Sequence, residues 1–238
     1  MPGPSPDTLE MLAHVSVATL ATALFKRGLR NQVIQDVRPV RPKGRNMVGP
    51  AFTLRYIPAR EDRNTLDVFR NPEHPQRHAV ETCPPGHVLV MDSRKDARGA
   101  SAGDILLRRI MKRGAVGAVT DGGFRDTPAI REMGFAVYQT RASAPTGPIF
   151  HHAADFNLPI ACGDVAVFPG DVMVGDGEGV ICLPAHLAEE LAHEAFEMTA
   201  YEDWVEEQVM AGAALPGIYP QTDRSRAAFE ADRGRSRS

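Results

Sequence analysis

Apolar and polar residues alternate across 47–57, where MVGPAFTLRYI predicts a β-strand with Gly49-Pro50 breaking its start. The run at 87–92, HVLVMD, is apolar without alternation, which predicts a strand buried on both faces. Residues 105–113 have helical spacing, and 115–120 read as another buried strand, with Gly114 at the turn between them. Upstream, 8–27 predicts one helix capped by Asp7 and closed by Gly28, with Leu9, Leu12, Val15 and Ala18 near helical spacing. Downstream, Thr127-Pro128 opens a short helix to about Met133, and 136–139 and 158–162 are short strands. Residues 171–175 and 180–183 flank a tight turn at Asp176-Gly177-Glu178-Gly179, predicting an antiparallel hairpin. A long helix over 184–210 follows, strongly acidic between Glu189 and Glu207, with Trp204 as an anchor for a contact.

The intervals carry their own signals. Residues 59–75 are charged and proline-bearing, which predicts a surface loop or lid with a short helix at 64–69, followed by a helix at 78–82. After Pro216 the chain turns polar, and 223–238 is expected to be frayed or disordered. The organisation is therefore one α/β domain at 1–220, a surface insertion at 60–77, and a tail at 221–238.

With 238 residues, 43% of them hydrophobic and 24% charged, the chain can bury a substantial core. A formal net charge of -3 argues against nucleic acid as the main partner, so an anionic ligand needs specific arginines or a metal. Cys83, Cys162 and Cys182 are too few and too scattered for a disulfide framework, which points to a reducing, cytoplasmic compartment. The N-terminal residues lack the pattern of a signal peptide, and no apolar run is long enough for a bilayer, so no membrane association is expected.

Candidate chemistry concentrates in GDILLRRIMKRGAVGAVTDGGFRD, where twenty residues separate Asp104 from Arg125-Asp126. A helix that goes out and a strand that returns bring these residues to one end of a sheet. Two carboxylates and a guanidinium can hold a divalent cation beside an anionic oxygen. Taken singly, Asp104 and Asp126 also read as helix N-caps and Arg125 as a surface charge. Other constellations are weaker. His74 and His78 are four apart but have Pro75 between them and no third ligand, and His151-His152 point to opposite faces of an extended chain. Of the lysines, Lys26, Lys43, Lys95 and Lys112, none lies in a buried strand where it could become a Schiff-base nucleophile.

These residues resemble a known family. The segments VRPVRP with VGPAFTL, PPGHVLVMD, the Asp104 to Asp126 stretch, and FPGDVMVGDGEGVICLP resemble the class II pyruvate aldolases. That family is typified by 4-hydroxy-4-methyl-2-oxoglutarate/4-carboxy-4-hydroxy-2-oxoadipate aldolase and shares its fold with regulator of ribonuclease activity A. Its Asp-x20-Arg-Asp motif is met in full by Asp104, Arg125 and Asp126, whereas the regulators carry glycine at the first position. The resemblance implies an α/β layered sandwich like the swivelling phosphohistidine domain, assembled as a homotrimer or homohexamer. It further implies Mg²⁺ or Mn²⁺ on Asp126, Asp104 orienting a water, and Arg125 on the C2 oxygen of a 2-oxo acid substrate. The backbone of Gly103, Asp104, Ile105 and Leu106 would receive the substrate carboxylate. The implied reaction is retro-aldol cleavage of a 4-hydroxy-2-oxo acid to pyruvate, with oxaloacetate decarboxylation beside it. A base from a neighbouring subunit has Glu197, Glu202 and Glu206 as candidates, each also readable as part of a solvated face. The insertion could bring Arg63, Arg70 or Arg77 to a second substrate carboxylate, or be plain surface. The alternative is a non-catalytic regulator that binds a ribonuclease or another protein.

Overall fold

In the computed structural model, which describes residues 3–41 and 44–235, the N-terminal apolar stretch forms two helices and not one. Helix α1 (Pro6–Leu12) begins after Ser5, whose hydroxyl accepts from the Thr8 amide at 3.1 Å. Helix α2 (Val17–Lys26) begins in the same way after Ser16, which accepts from the Thr19 amide at 3.0 Å. Each serine offers the backbone a cap, so the helix expected over 8–27 is divided, and Asp7 lies in the first turn of α1. Gly28, at φ 80°, follows α2 as expected.

The remaining elements, in chain order, begin with β1 (Arg38–Pro39), β2 (Met47–Pro58), a 3₁₀ turn (Leu66–Arg70), α3 (Pro75–Thr82), β3 (Val88–Asp92) and β4 (Ala100–Ala102). Next come α4 (Asp104–Lys112), β5 (Gly117–Thr120), β6 (Gly123–Phe124), α5 (Thr127–Glu132), β7 (Ala136–Gln139) and β8 (His151–Phe156). The chain continues through β9 (Ile160–Cys162), β10 (Val165–Val167), β11 (Val172–Gly175), β12 (Val180–Leu183), α6 (Ala188–Met210) and α7 (Asp223–Arg235).

One sheet runs β1-β7-β5-β3-β2-β11-β12, parallel from β7 to β2 and antiparallel at both ends. Strand β2 is long enough to serve two partners along one edge. Its first residues pair with β11 and its last with β8, and the register shifts between Arg55 and Tyr56. Gly49-Pro50 does not break the strand; Gly49 lies opposite Met173, and Pro50 opposite Val172.

Strand β3 shows why its sequence lacks alternation. Leu89 and Met91 join a core with Leu107, Ile110, Phe124 and Ile130 on one face, while Val88 and Val90 join Val119, Ile160, Val165 and Met173 on the other. A third core packs Leu20, Leu24 and Leu191 against Val172 and Ile181, joining α2 and α6 to the β11–β12 hairpin. The turn of that hairpin is pinned by Asp176, which accepts from the Val17 amide at 2.8 Å and from the Glu178 amide at 2.8 Å.

Of the segment expected to be frayed, 223–235 is helical, and 236–238 lies outside the described residues. Helix α7 carries one buried aromatic, Phe229, which meets Tyr201 edge-on at 5.6 Å and Trp204 at 6.1 Å. Trp204 Nε1 donates to Asp232 at 2.9 Å, so the expected anchor holds the C-terminal helix. A single aromatic in a charged sequence is enough to dock it, which composition does not reveal. Among the described residues no single helix is long and apolar enough to cross a membrane.

Strand β8 was not expected, and its first residue, His151, is only 3% exposed. Its Nε2 donates to the Gly99 carbonyl at 3.0 Å, and Arg94 donates to Nδ1 at 3.2 Å, which fixes a neutral ring. Burial holds its pKa below the ordinary value. The unfolded chain therefore takes up a proton near pH 6.5, about the free histidine value, and the folded chain only below it. Stability is complete above that value and is lost as pH falls toward the folded pKa, by at most about 1.4 kcal/mol per pH unit. Thermal unfolding measured from about pH 7.5 to about pH 5.5 is expected to show a falling midpoint that flattens in His151→Gln. An equal slope in both proteins would assign the effect to other groups.

Candidate active site

Strands β4 and β6 run parallel and adjacent, with Ala100 opposite Gly123 and Ala102 opposite Phe124. The Arg125 amide donates to the Ala102 carbonyl at 3.0 Å, and the Gln139 side chain accepts from the Phe124 amide at 2.7 Å. Each of these short strands leads almost directly into a helix, β4 through Gly103 into α4 and β6 through Arg125-Asp126 into α5. A ladder that aligns Ala102 with Phe124 also aligns the residues that follow. This is how Asp104 and Arg125-Asp126 come together.

The capping account of the two aspartates does not hold. Gly103 occupies the N-cap of α4, and Asp104 is its first helical residue, with Oδ2 accepting from Arg108 at 3.2 Å. Asp126 occupies the N-cap of α5 but makes no cap bond, and its backbone is left-handed at φ 61°, ψ 32°. Its Oδ2 faces α4 instead, 3.5 Å from the Asp104 amide and 3.4 Å from Arg125 Nε. A left-handed non-glycine residue is conformationally costly, although aspartate tolerates it better than most. Gly103 leaves room for this closeness: a Cβ there would stand 2.9 Å from Asp126 Oδ2 and 3.0 Å from Arg125 Cγ and would push both side chains aside.

Gly103, Asp104, Ile105, Leu106, Arg125 and Asp126 line one cleft of about 410 Å³, together with Phe69, Gln76 and Arg77 from the insertion and the start of α3. Ile105 is 76% exposed at its mouth. Glu197, Glu202 and Glu206 do not line this cleft within a single chain; Glu197 pairs with Arg233, and Glu202 accepts from Thr19. The free cysteines are buried, and burial pushes the Cys83 thiol up to about 12, which leaves no thiolate nucleophile there at neutral pH.

The donor set suits a hard divalent ion. Asp104 and Asp126 would supply two carboxylate oxygens to it, and among the described residues there is no group of three or more His, Cys, Asp or Glu side chains that could hold a metal ion. An ion held by two carboxylates would take the rest of its coordination shell from water and substrate oxygens, as Mg²⁺ prefers and structural Zn²⁺ does not.

Behind the cleft lies a polar layer that sequence reading missed. The buried hydroxyls of Ser93, Ser101 and Thr120 interlock at 2.7 to 3.2 Å, and Tyr56 donates to the Ser101 carbonyl at 2.6 Å. Asp121, fully buried at the end of β5, accepts from the amides of Ser93 at 2.6 Å, Lys95 at 3.0 Å and Gly163 at 3.1 Å. Burial pushes its carboxyl up, opposed by the N–H groups of Gly163 and Ser93. The placement of Asp121 directly after a buried strand was the available signal.

An α/β enzyme-like cleft at paired helix N-termini is the class that fold and site define. The chain belongs to the RraA-like family described as Aldolase/RraA, which matches residues 17–182. Protein DlpA of Legionella pneumophila is 24% identical over 210 residues, covering 88% of this chain and 33% of DlpA, so the chain spans about a third of that relative. A Halalkalibacterium halodurans protein named "Putative 4-hydroxy-4-methyl-2-oxoglutarate aldolase" is 30% identical over 180 residues, covering 74% of this chain and 77% of that protein. Among solved structures, Streptomyces coelicolor RraAS2, described as an unusual member of the RNase ES inhibitor RraA protein family, superposes with a TM-score of 0.76 at 27% identity. The superposition covers 87% of this chain and 98% of RraAS2.

Proposed function

We propose that this chain is a divalent-metal-dependent lyase that cleaves a 4-hydroxy-2-oxo acid to pyruvate, with oxaloacetate decarboxylation as a side activity. The observation that carries the reading is the turned Asp126 carboxylate, which leaves its own helix uncapped and stands beside Arg125 at the start of α4. The free amides of Ile105 and Leu106 receive the substrate carboxylate, since the first bond inside the helix is made by Leu107 to Gly103. Arg125 donates to the C2 oxygen. As the C3–C4 bond breaks, its electron pair moves into the C2–C3 unit, negative charge grows on that oxygen, and C4 becomes a carbonyl. Asp104 orients a water that takes the 4-hydroxyl proton, and C3 is protonated to give pyruvate. A Mg²⁺ or Mn²⁺ ion held by Asp126, with Asp104 beside it, would supply Lewis-acid stabilisation of the same oxygen. The reading extends to a cytoplasmic homotrimer or homohexamer, as the family likeness implies.

A second reading, a non-catalytic regulator of another protein, is favoured by the likeness to RraAS2. Pyruvate release from oxaloacetate and from a panel of 4-hydroxy-2-oxo acids separates the two. Release is expected with Mg²⁺ or Mn²⁺, to be lost in EDTA and to return when the metal is restored. Folded, metal-supplemented protein that turns over none of them favours the regulator.

A further inference from the structure

The cleft holds two guanidinium groups, and the proposed reaction uses one. The second belongs to Arg77 on α3, half-buried, its guanidinium 4.7 Å from the centre of the Phe69 ring. Every other arginine of the insertion is paired with a carboxylate, Arg60 and Arg63 sharing Asp62 and Arg70 meeting Asp67. Arg77 pairs with no carboxylate among the described residues, and its Nε is buried without a partner. Of the three arginines that the sequence offered for a second substrate carboxylate, only Arg77 lines the cleft.

The neighbouring side chain is built in. Gln76 is 5% exposed, and its Nε2 donates to the Ser101 carbonyl at 2.6 Å and to the Tyr56 hydroxyl at 3.0 Å. Because a carbonyl can only accept, the amide nitrogen must face Ser101, and Oε1 is left as a buried acceptor with no partner. Gln76 is thus held in place by its own bonds, and Arg77 brings an unpaired cation to a cleft that Arg125 and the start of α4 also line. A cation stacked on an aromatic ring is oriented without being neutralised, so its fork stays available to an anion.

Resting on the lyase reading above, we infer that Arg77, positioned by Phe69, binds a second carboxylate at the far end of the substrate, making it the residue that selects dicarboxylic over monocarboxylic 4-hydroxy-2-oxo acids. The insertion then acts as a specificity wall, and the reacting groups lie at the N-termini of α4 and α5.

The test is calorimetric binding, with Mg²⁺ present, of two uncleavable probes of equal chain length, 2-oxoglutarate and 2-oxopentanoate. The natural chain is expected to bind 2-oxoglutarate about 10- to 100-fold more tightly. Arg77→Met should erase that margin and change 2-oxopentanoate binding less than about twofold, which also reports an intact fold. Arg77→Lys should keep part of the margin. A margin that survives in Arg77→Met, or equal binding of both probes by the natural chain, overturns the inference and leaves the lyase reading standing. If neither probe binds the natural chain, both fall together.

Discussion

Replacing Arg125 with alanine is expected to lower metal-dependent pyruvate release by about 10²- to 10³-fold, the usual loss for one oxyanion donor. The thermal midpoint should hardly move. The Arg125 side chain is 45% exposed and its ion pair with Asp126, at 3.4 Å, lies near the surface, where such a pair contributes little to stability. The loss should appear in kcat as well as in kcat/KM, because the charge that Arg125 meets grows only as the C–C bond breaks. Arg125→Lys should recover only part, since an ammonium cannot reproduce the planar fork. A raised KM with unchanged kcat would reduce Arg125 to ground-state binding, and unchanged kinetics would remove it from the site.

The largest effect on stability is expected at Asp121. Its carboxylate holds three backbone amides at once, two of them around Arg94 and Lys95, which both adopt left-handed backbone, and the third at Gly163 beside left-handed Asp164. Asp121→Ala leaves those amides without an acceptor inside the protein and releases two strained loop tips together. A cost of about 3–5 kcal/mol is expected, or a fall of about 10 °C in thermal midpoint for a chain of this size. Asp121→Asn should fall between, because its oxygen can serve some of the amides while its NH₂ group opposes at least one. A shift under about 2 °C would show that water replaces the carboxylate without loss.

The parallel part of the sheet was legible because strands buried on both faces lose alternation, as β3 does, and because a helix with strong spacing, α4, lies between two of them. The residues that meet at the candidate site were legible as a pair of short motifs. What joins the motifs was not, since β4 and β6 have three and two residues, too few for any periodicity. Strand β8 was hidden by His151 and His152, polar residues that become strand positions only through their pairing with β2. The same limit applies to the insertion. Its arginines are equivalent in sequence, and only the packing of Phe69 against Arg77 distinguishes the one that reaches the cleft.

The docking of α7 has a practical consequence. Trp204 is the sole tryptophan, and it sits in the small aromatic cluster between α6 and α7 rather than in any core of the sheet. Tryptophan fluorescence of this protein, excited apart from that of Tyr56 and Tyr138 in the sheet cores, is therefore a reporter of the C-terminal annex. A tryptophan trace records the undocking of α7, while the state of the layer that carries the candidate site has to be followed by a signal that the sheet itself produces.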